Sequence, residues 1–326
     1  MVSVSWNIGK IVIKGNLVLA PMTRVTDYPF RMLCRRCGAS LAYTEMVNVN
    51  AVSRGNKAAR MNSFTASGDE PLGIQLFGSQ PEKFCSTARA IVESLQSTRG
   101  VFLDVNLDCP DEAIINQGAG AALLKRPERI TAIIAALNAA QLLPVTAKMR
   151  LTSGDEALAV KTAKIIEAAG ASALTVHART IAQKNSGDAQ WSTIKAIKEA
   201  VSIPVIGNGG INSPEAVSTL LRYTCCDAAM IGKAVLYNPS VFSEQSPGAK
   251  RWDPPTLQKR LEWTQSYFTI AIQNNCAKHQ RLEQRAVDFF KDCIPATTIT
   301  KIFTATKDIP SILNELTKRV TQLSIP

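Results

Sequence analysis

The pentapeptide Asn106-Leu107-Asp108-Cys109-Pro110 closes an apolar run, Val101 to Val105. The chain then turns glycine-rich and helical through Gly118-Ala119-Gly120 and Leu123-Leu124-Lys125. One thiol is thereby placed at the carboxyl end of a buried strand, the position where parallel barrels and doubly wound sheets carry their chemistry. An ordinary thiol, with a pKa of about 8.5, is mostly protonated at neutral pH, so Cys109 can act as a proton donor. Asn106 has two readings of similar weight, a hydrogen bond to a ligand or a cap on the turn after the strand.

Four more positions carry chemical side chains or bare backbone at strand ends. Lys148 and His177 close two further runs, with Arg150 and Arg179 two residues beyond each. His177 is one of only two histidines and is read as a site residue, with no metal implied. Asn208-Gly209-Gly210 and Gly232-Lys233 follow the last two runs, where barrels commonly seat a phosphate on backbone N–H groups. Glycine permits that close approach, and Lys233 adds a charge. Gln75, between Ile74 and Leu76-Phe77, needs a partner for its amide, and Pro21-Met22-Thr23 follow the first run. Arg54, Lys57 and Arg60 recur every third residue, a spacing that aligns charge for phosphate contacts or for a solvated face.

Short apolar runs must position these groups. They span 17–20, 41–45, 72–77, 101–107, 145–149, 173–178, 205–208 and 228–231, alternating with helical patterns such as 156–169, stopped by Gly170, and 214–223, capped by Ser213. Eight runs and no early Gly-x-Gly-x-x-Gly favour an α/β fold of the TIM (β/α)8 barrel type over an open sheet. Ser-Pro-Gly and Pro-Pro break the rhythm, so residues 1–242 are expected to form the barrel and 243–255 a linker. Residues 256–326, with helices expected over 256–274, 279–291 and 311–323, are expected to form a helical domain.

The chain has 326 residues, 46% of them hydrophobic, enough for a full core. Its net charge of +11 is uneven: +7 in residues 1–60, zero in 61–240 and +4 in 241–326. Positive charge gathered at both ends fits an extended polyanion, with an unspecific basic surface as the alternative. The eight cysteines are scattered, and Cys34/Cys37 and Cys225/Cys226 are read as packed thiols rather than metal or redox pairs. No stretch approaches the ~18 apolar residues that cross a bilayer, and the first fourteen residues have no signal-peptide core. A cytoplasmic protein without membrane contact is expected.

Beyond the pentapeptide, Ala20-Pro21-Met22, Thr44-Glu45-Met46, Gln75-Leu76-Phe77-Gly78, Lys148-Met149-Arg150, Val176-His177-Ala178-Arg179-Thr180, Asn208-Gly209-Gly210 and Met230-Ile231-Gly232-Lys233 occur in an order that resembles the tRNA-dihydrouridine synthase family across residues 17–240. The resemblance implies an FMN-binding barrel, a helical domain gripping tRNA, NADPH as transient reductant, and Cys109 as the acid that protonates uracil. It also implies that Lys148 stabilises the reduced flavin and that Pro21, Met22, Thr23, Gln75, His177, Asn208, Gly209, Gly210, Gly232 and Lys233 surround the cofactor. Asn106, Arg150 and Arg179 would face uracil or RNA, and the protein is expected to act as a monomer. Three departures stand out: Asp108 where the family has glycine, Lys233 where it more often has arginine, and a loop 183–191 lacking the family's aromatic residue. Asp108, if it faces Cys109, would keep the thiol protonated. Two rivals are a dihydroorotate dehydrogenase-type enzyme, whose cysteine acts as a base, and a non-catalytic RNA-binding barrel.

Overall fold

A computed structural model describes residues 4–243 and 249–323. Eight parallel strand positions close a barrel in the order β3 (Leu17–Leu19), β11 (Ala228–Ile231), β10 (Val205–Asn208), β9 (Leu174–Thr180), β8 (Val145–Leu151), β7 (Val101–Leu107), β6 (Leu72–Phe77) and β4 (Ala42–Tyr43). Closure between the first and second positions is a single parallel bridge, Val18 to Leu41. The second position is split, because β5 (Val47–Asn48) pairs with β6 separately after Thr44-Glu45-Met46 leave the ladder. The expected continuous strand 41–45 is therefore two short pieces. Glu45 has turned its carboxylate to the Arg24 N–H and to Arg281 of the carboxyl-terminal helices.

The strand pleat sorts side chains by layer. Leu103, Val105 and Leu107 of β7, with Ala147 and Met149 of β8 and Leu174 and Val176 of β9, join the core that packs against the surrounding helices. The alternate residues point inward. At the floor, Val18, Leu41, Tyr43, Phe102, Ala173, Ile206, Ala228 and Met230 form a separate apolar cluster with Trp6, Ile8 and Ile13. These last three belong to an antiparallel hairpin, β1 (Ser5–Ile8) and β2 (Ile11–Lys14), which plugs the barrel from below and was not expected from the sequence. Above the floor the same inward column becomes polar: Asp104, Asn106 and Asp108 after Phe102; Thr146, Lys148 and Arg150; Thr175, His177 and Arg179 after Ala173. The run 101–105 thus contains a buried acid, Asp104, in its inward register.

The helices fall close to the sequence boundaries. Glu156–Ala168 ends at Gly170, whose φ is +98°, and Pro214–Thr224 is capped by the Ser213 hydroxyl accepting from Ala216 N. Among the described residues, four carboxyl-terminal helices are present rather than three: Leu257–Gln273, His279–Phe289, Ala296–Ala305 and Ile309–Leu323. Ala296–Ala305 was missed because its Thr- and Ile-rich sequence carries weak helix propensity and buries only one face. Residues 244–248 of the expected linker lie outside the described residues. Of the cysteine pairs, Cys34 and Cys226 are buried in the core, whereas Cys225 is exposed at a left-handed helix end with φ +55°, correcting its reading as a packed thiol. Among the described residues, no helix is long and apolar enough to cross a membrane.

Much of the terminal positive charge is spent inside. Arg31 places two nitrogens on Asp69 Oδ2, at 2.9 and 2.6 Å, and Arg35 donates to Asp69 Oδ1 at 3.2 Å. Arg285, 1% exposed, lies 4.5 Å over the Phe30 ring and donates to Asp288 and to the Arg24 carbonyl. Arg281 and the Tyr267 hydroxyl, which donates to Asp27 at 2.7 Å, complete a polar seam between the carboxyl-terminal helices and the barrel. The outward charge of both ends is therefore smaller than the sequence tally suggests. Removing Asp69 leaves the buried Arg31 guanidinium and the half-buried Arg35 guanidinium without their shared carboxylate. Asp69→Ala is expected to cost about 3–5 kcal/mol. Urea unfolding of both proteins checks this, and a loss under about 1 kcal/mol would contradict the paired reading.

Candidate active site

The strand register aligns the site in tiers. Gln75 is level with Asp104, Asn106 with Lys148, and Arg150 with His177, which is in turn level with Asn208. The lowest polar tier is anchored by Asp104, a carboxylate that can only accept when ionised. It receives Gln75 Nε2 and the Thr146 hydroxyl, both at 2.7 Å. Gln75 Oε1 is thereby aimed at Asn106 Nδ2, 2.8 Å away, and Asn106 Oδ1 in turn accepts from the N–H groups of Asp108 and Cys109 at 3.1 and 3.0 Å. One buried charge thus fixes two amide orientations and the turn that carries the thiol. Burial pushes the Asp104 carboxyl up to about 6, with hydrogen bonds from Gln75 and Thr146 opposing it.

This tier corrects two expectations. Gln75 has protein partners for both ends of its amide, so a ligand is not needed to satisfy it. Asn106 caps the turn, the structural member of its two readings.

Cys109 packs at the mouth with Met46, against Phe77, Ile114 and Ala119. Its loop closes only because Gly120 follows at φ +59°: a Cβ there would lie 2.8 Å from the Cys109 carbonyl oxygen. Burial pushes the thiol above its ordinary pKa; a backbone hydrogen bond at Asp111 works against this, and the negative charges of Asp108 and Asp111 support it.

The condition set for Asp108, that its carboxylate face the thiol, is not met by its hydrogen bonds, although its charge still helps to raise the thiol pKa. Its carboxylate crosses the mouth to Lys148 Nζ, to Arg150 Nε at 2.9 Å and to His177 Nδ1 at 3.2 Å. Burial opposes its ionisation, yet Lys148, then His177 and Arg150, outweigh burial and hold the group well below the usual carboxylate range. With Nδ1–H directed at Asp108, His177 Nε2 is left to accept from Arg179 Nη1 at 3.5 Å. Burial lowers the imidazole pKa despite the Asp108 contact, so the ring is neutral at pH 7. Lys148 also reaches Asn208 Oδ1 at 3.3 Å, and Asn208 Nδ2 donates to the Met230 carbonyl.

Arg150 corrects a further expectation. It is 1% exposed and donates to the carbonyls of Thr180 and Lys184 as well as to Asp108, so it braces the loop after β9 rather than reaching out to RNA. Arg179 stays half-buried at the mouth, donating to Gly187 O. Arg54, Lys57 and Arg60 are exposed, and among the described residues they form no ion pair. Thr23 and Lys233 are also exposed, while Pro21 and Met22 are half-buried at the barrel rim.

The residues present fit a flavin phosphate and ring. Gly209 and Gly210 have φ of +103° and +75°, and a Cβ on Gly209 would lie 2.9 Å from His177 Cδ2, so side chains are kept out of the hollow at the end of β10. Trp191, which ends the loop lacking the expected aromatic, donates from Nε1 to Gly209 O at 2.9 Å and holds that hollow in shape. Gly232 adjoins Met22, whose sulfur would be 3.9 Å from an added Cβ. Asp104, Thr146 and Thr175 were missed in the sequence. The signal was present as strict alternation, with Asp104 and Asn106 separated by Val105 and each followed by an apolar residue.

A parallel barrel with a half-buried thiol, a charged cluster and a glycine hollow at one mouth has the layout of a barrel enzyme's active site. The Dihydrouridine synthase (Dus) family model matches residues 18–297. Three proteins named tRNA-dihydrouridine synthase B are similar to the chain. The one from Pseudomonas syringae pv. tomato is 40% identical over 238 residues, covering 73% of this chain and 69% of that protein. Those from Pseudomonas aeruginosa and Vibrio cholerae are each 39% identical, over 73% of this chain and 70% and 73% of their own lengths. The chain belongs to the dihydrouridine synthase family, which is flavin-dependent.

The Cys109 geometry sets a pH expectation. Alkylation of half-buried Cys109 by iodoacetamide, followed on its own peptide because Cys225 is exposed and reacts as well, should keep accelerating above pH 9. A plateau below pH 8 would mean the thiol is already ionised.

Proposed function

We propose that this chain reduces a uridine of tRNA to 5,6-dihydrouridine, with FMN as cofactor and NADPH as electron donor. The observation that carries the reading is the position of the Cys109 thiol, half-buried at the barrel mouth on the loop whose Asp108 meets Lys148 and His177, with burial pushing the thiol pKa up. FMN held there would supply, in its reduced form, the hydride for uracil C6, with NADPH as the source of its electrons. Cys109 gives its Sγ proton to C5 and regains one from solvent. Lys148 favours negative charge on the ring. Asn208, His177, Gly209, Gly210, Gly232 and Lys233 hold the cofactor, with the two consecutive positive-φ glycines suited to its phosphate. Pro21, Met22 and Thr23 flank the ring, and Gln75 keeps its second amide hydrogen for the ring edge.

Uracil must leave the folded RNA to enter the mouth, and extruding it costs a few kcal/mol. Exposed Arg54, Lys57 and Arg60, beside the second strand's outlet, and half-buried Arg179 support RNA backbone contacts that offset this cost. We assign residues 1–242 to the catalytic barrel and 256–326 to a helical unit that holds the tRNA. A dihydroorotate dehydrogenase-type reading fits less well, because a cysteine acting as base needs a lowered pKa and this one is raised.

Nucleoside mass spectrometry of tRNA from a deletion strain tests the proposal. Dihydrouridine should fall on deletion and return with wild type, whereas Cys109→Ala should restore it at least about 100-fold more slowly. Unchanged dihydrouridine in the deletion strain, in the absence of a second family member, would contradict the assignment.

A further inference from the structure

The mouth holds an anion that the reduction itself does not call for. Lys148 and Arg150 lie on successive tiers of the mouth, 3% and 1% exposed, and Asp108 contacts both. The third partner, His177, has been placed above as a neutral ring. The cluster therefore carries a net charge of about +1 instead of +2. In a buried site such a difference acts with little screening.

We propose that Asp108 is an internal counter-ion that sets the reduction potential of the flavin low, by sharing Lys148 with any negative charge that develops on the ring. The inference rests on the FMN reading given above. Oxidised flavin is a neutral ring and its two-electron-reduced form is commonly anionic, so a cation stabilises the reduced state and a carboxylate on that cation opposes it. Arg150 is less free than Lys148 for this role, because its Nε is held on Asp108 and its Nη1 on the Thr180 and Lys184 carbonyls, while Nη2 lies beside His177 Nδ1. Asp108 is thus a positioning and tuning residue that acts through Lys148, and the proton delivered by Cys109 does not pass through it.

The test uses the full chain loaded with FMN and two readouts that do not depend on turnover. In dye-equilibration titrations, Asp108→Asn should move the two-electron midpoint potential upward by at least about 30 mV, a tenfold gain in preference for reduced over oxidised flavin. Sulfite adds to the flavin N5 and leaves an anionic ring, so its adduct should form with at least tenfold higher affinity in Asp108→Asn. Asp108→Glu, which keeps the charge, should stay within about threefold of wild type. Asp108→Ser serves as a second neutral variant if Asp108→Asn fails to retain the cofactor. A neutral residue at 108 that binds FMN with wild-type potential and sulfite affinity, or shifts either the other way, overturns the proposal and leaves the family chemistry standing. A wild-type protein that takes up no FMN would instead overturn the underlying reading.

Discussion

The pleat of the parallel barrel is the constraint on which the rest depends. Successive side chains on a strand face opposite sides, so a chain that is apolar outside and graded inside must alternate residue by residue. Strands β7, β8 and β9 do so, and their register brings Asn106, Lys148 and Thr175 to one height and Arg150 and His177 to the next. A one-residue slip in any of the three would send the charged groups into the helix-facing core, where burying an unpaired charge is costly. The apolar floor, with the amino-terminal hairpin beneath it, gives this column its dry base.

On that base the site is built as a chain of dependent orientations. Asp104 fixes Gln75, Gln75 fixes Asn106, and Asn106 fixes the turn bearing Cys109. Across the mouth, Asp108 collects Lys148, Arg150 and His177, and Arg150 ties the cluster to the loop after β9. Two acids two turns of the pleat apart therefore do opposite things. The deeper one is pushed toward neutrality by burial, and the upper one is kept ionised by its cations.

The sequence made the barrel legible because its runs are bounded by glycine, proline and helix caps, and four of the eight strands, 72–77, 101–107, 205–208 and 228–231, keep the expected limits. Cys109, Lys148, His177 and the glycine pair were legible because their types are unusual at strand ends. What was hidden was tertiary. Nothing local in Asp108 says whether its carboxylate meets the thiol beside it or the lysine forty residues on. Arg150 reads like Arg179, yet one is buried under a loop and the other sits at the rim. The basic ends misled in part for the same reason, since Arg31, Arg35, Arg260 and Arg285 are turned inward by partners distant in sequence.

The claim that a neutral Cys109 delivers the proton is tested most directly by single-turnover kinetics. FMN-reduced protein is mixed with unmodified tRNA and flavin reoxidation is followed at a series of pH values. The account predicts a rate that stays level through neutral pH and falls only as pH climbs past the raised thiol pKa, together with loss of that alkaline limb and slowing by about 10²-fold or more in Cys109→Ala. An unchanged alkaline limb in Cys109→Ala, or a wild-type rate that rises with pH as for a thiolate base, would contradict it.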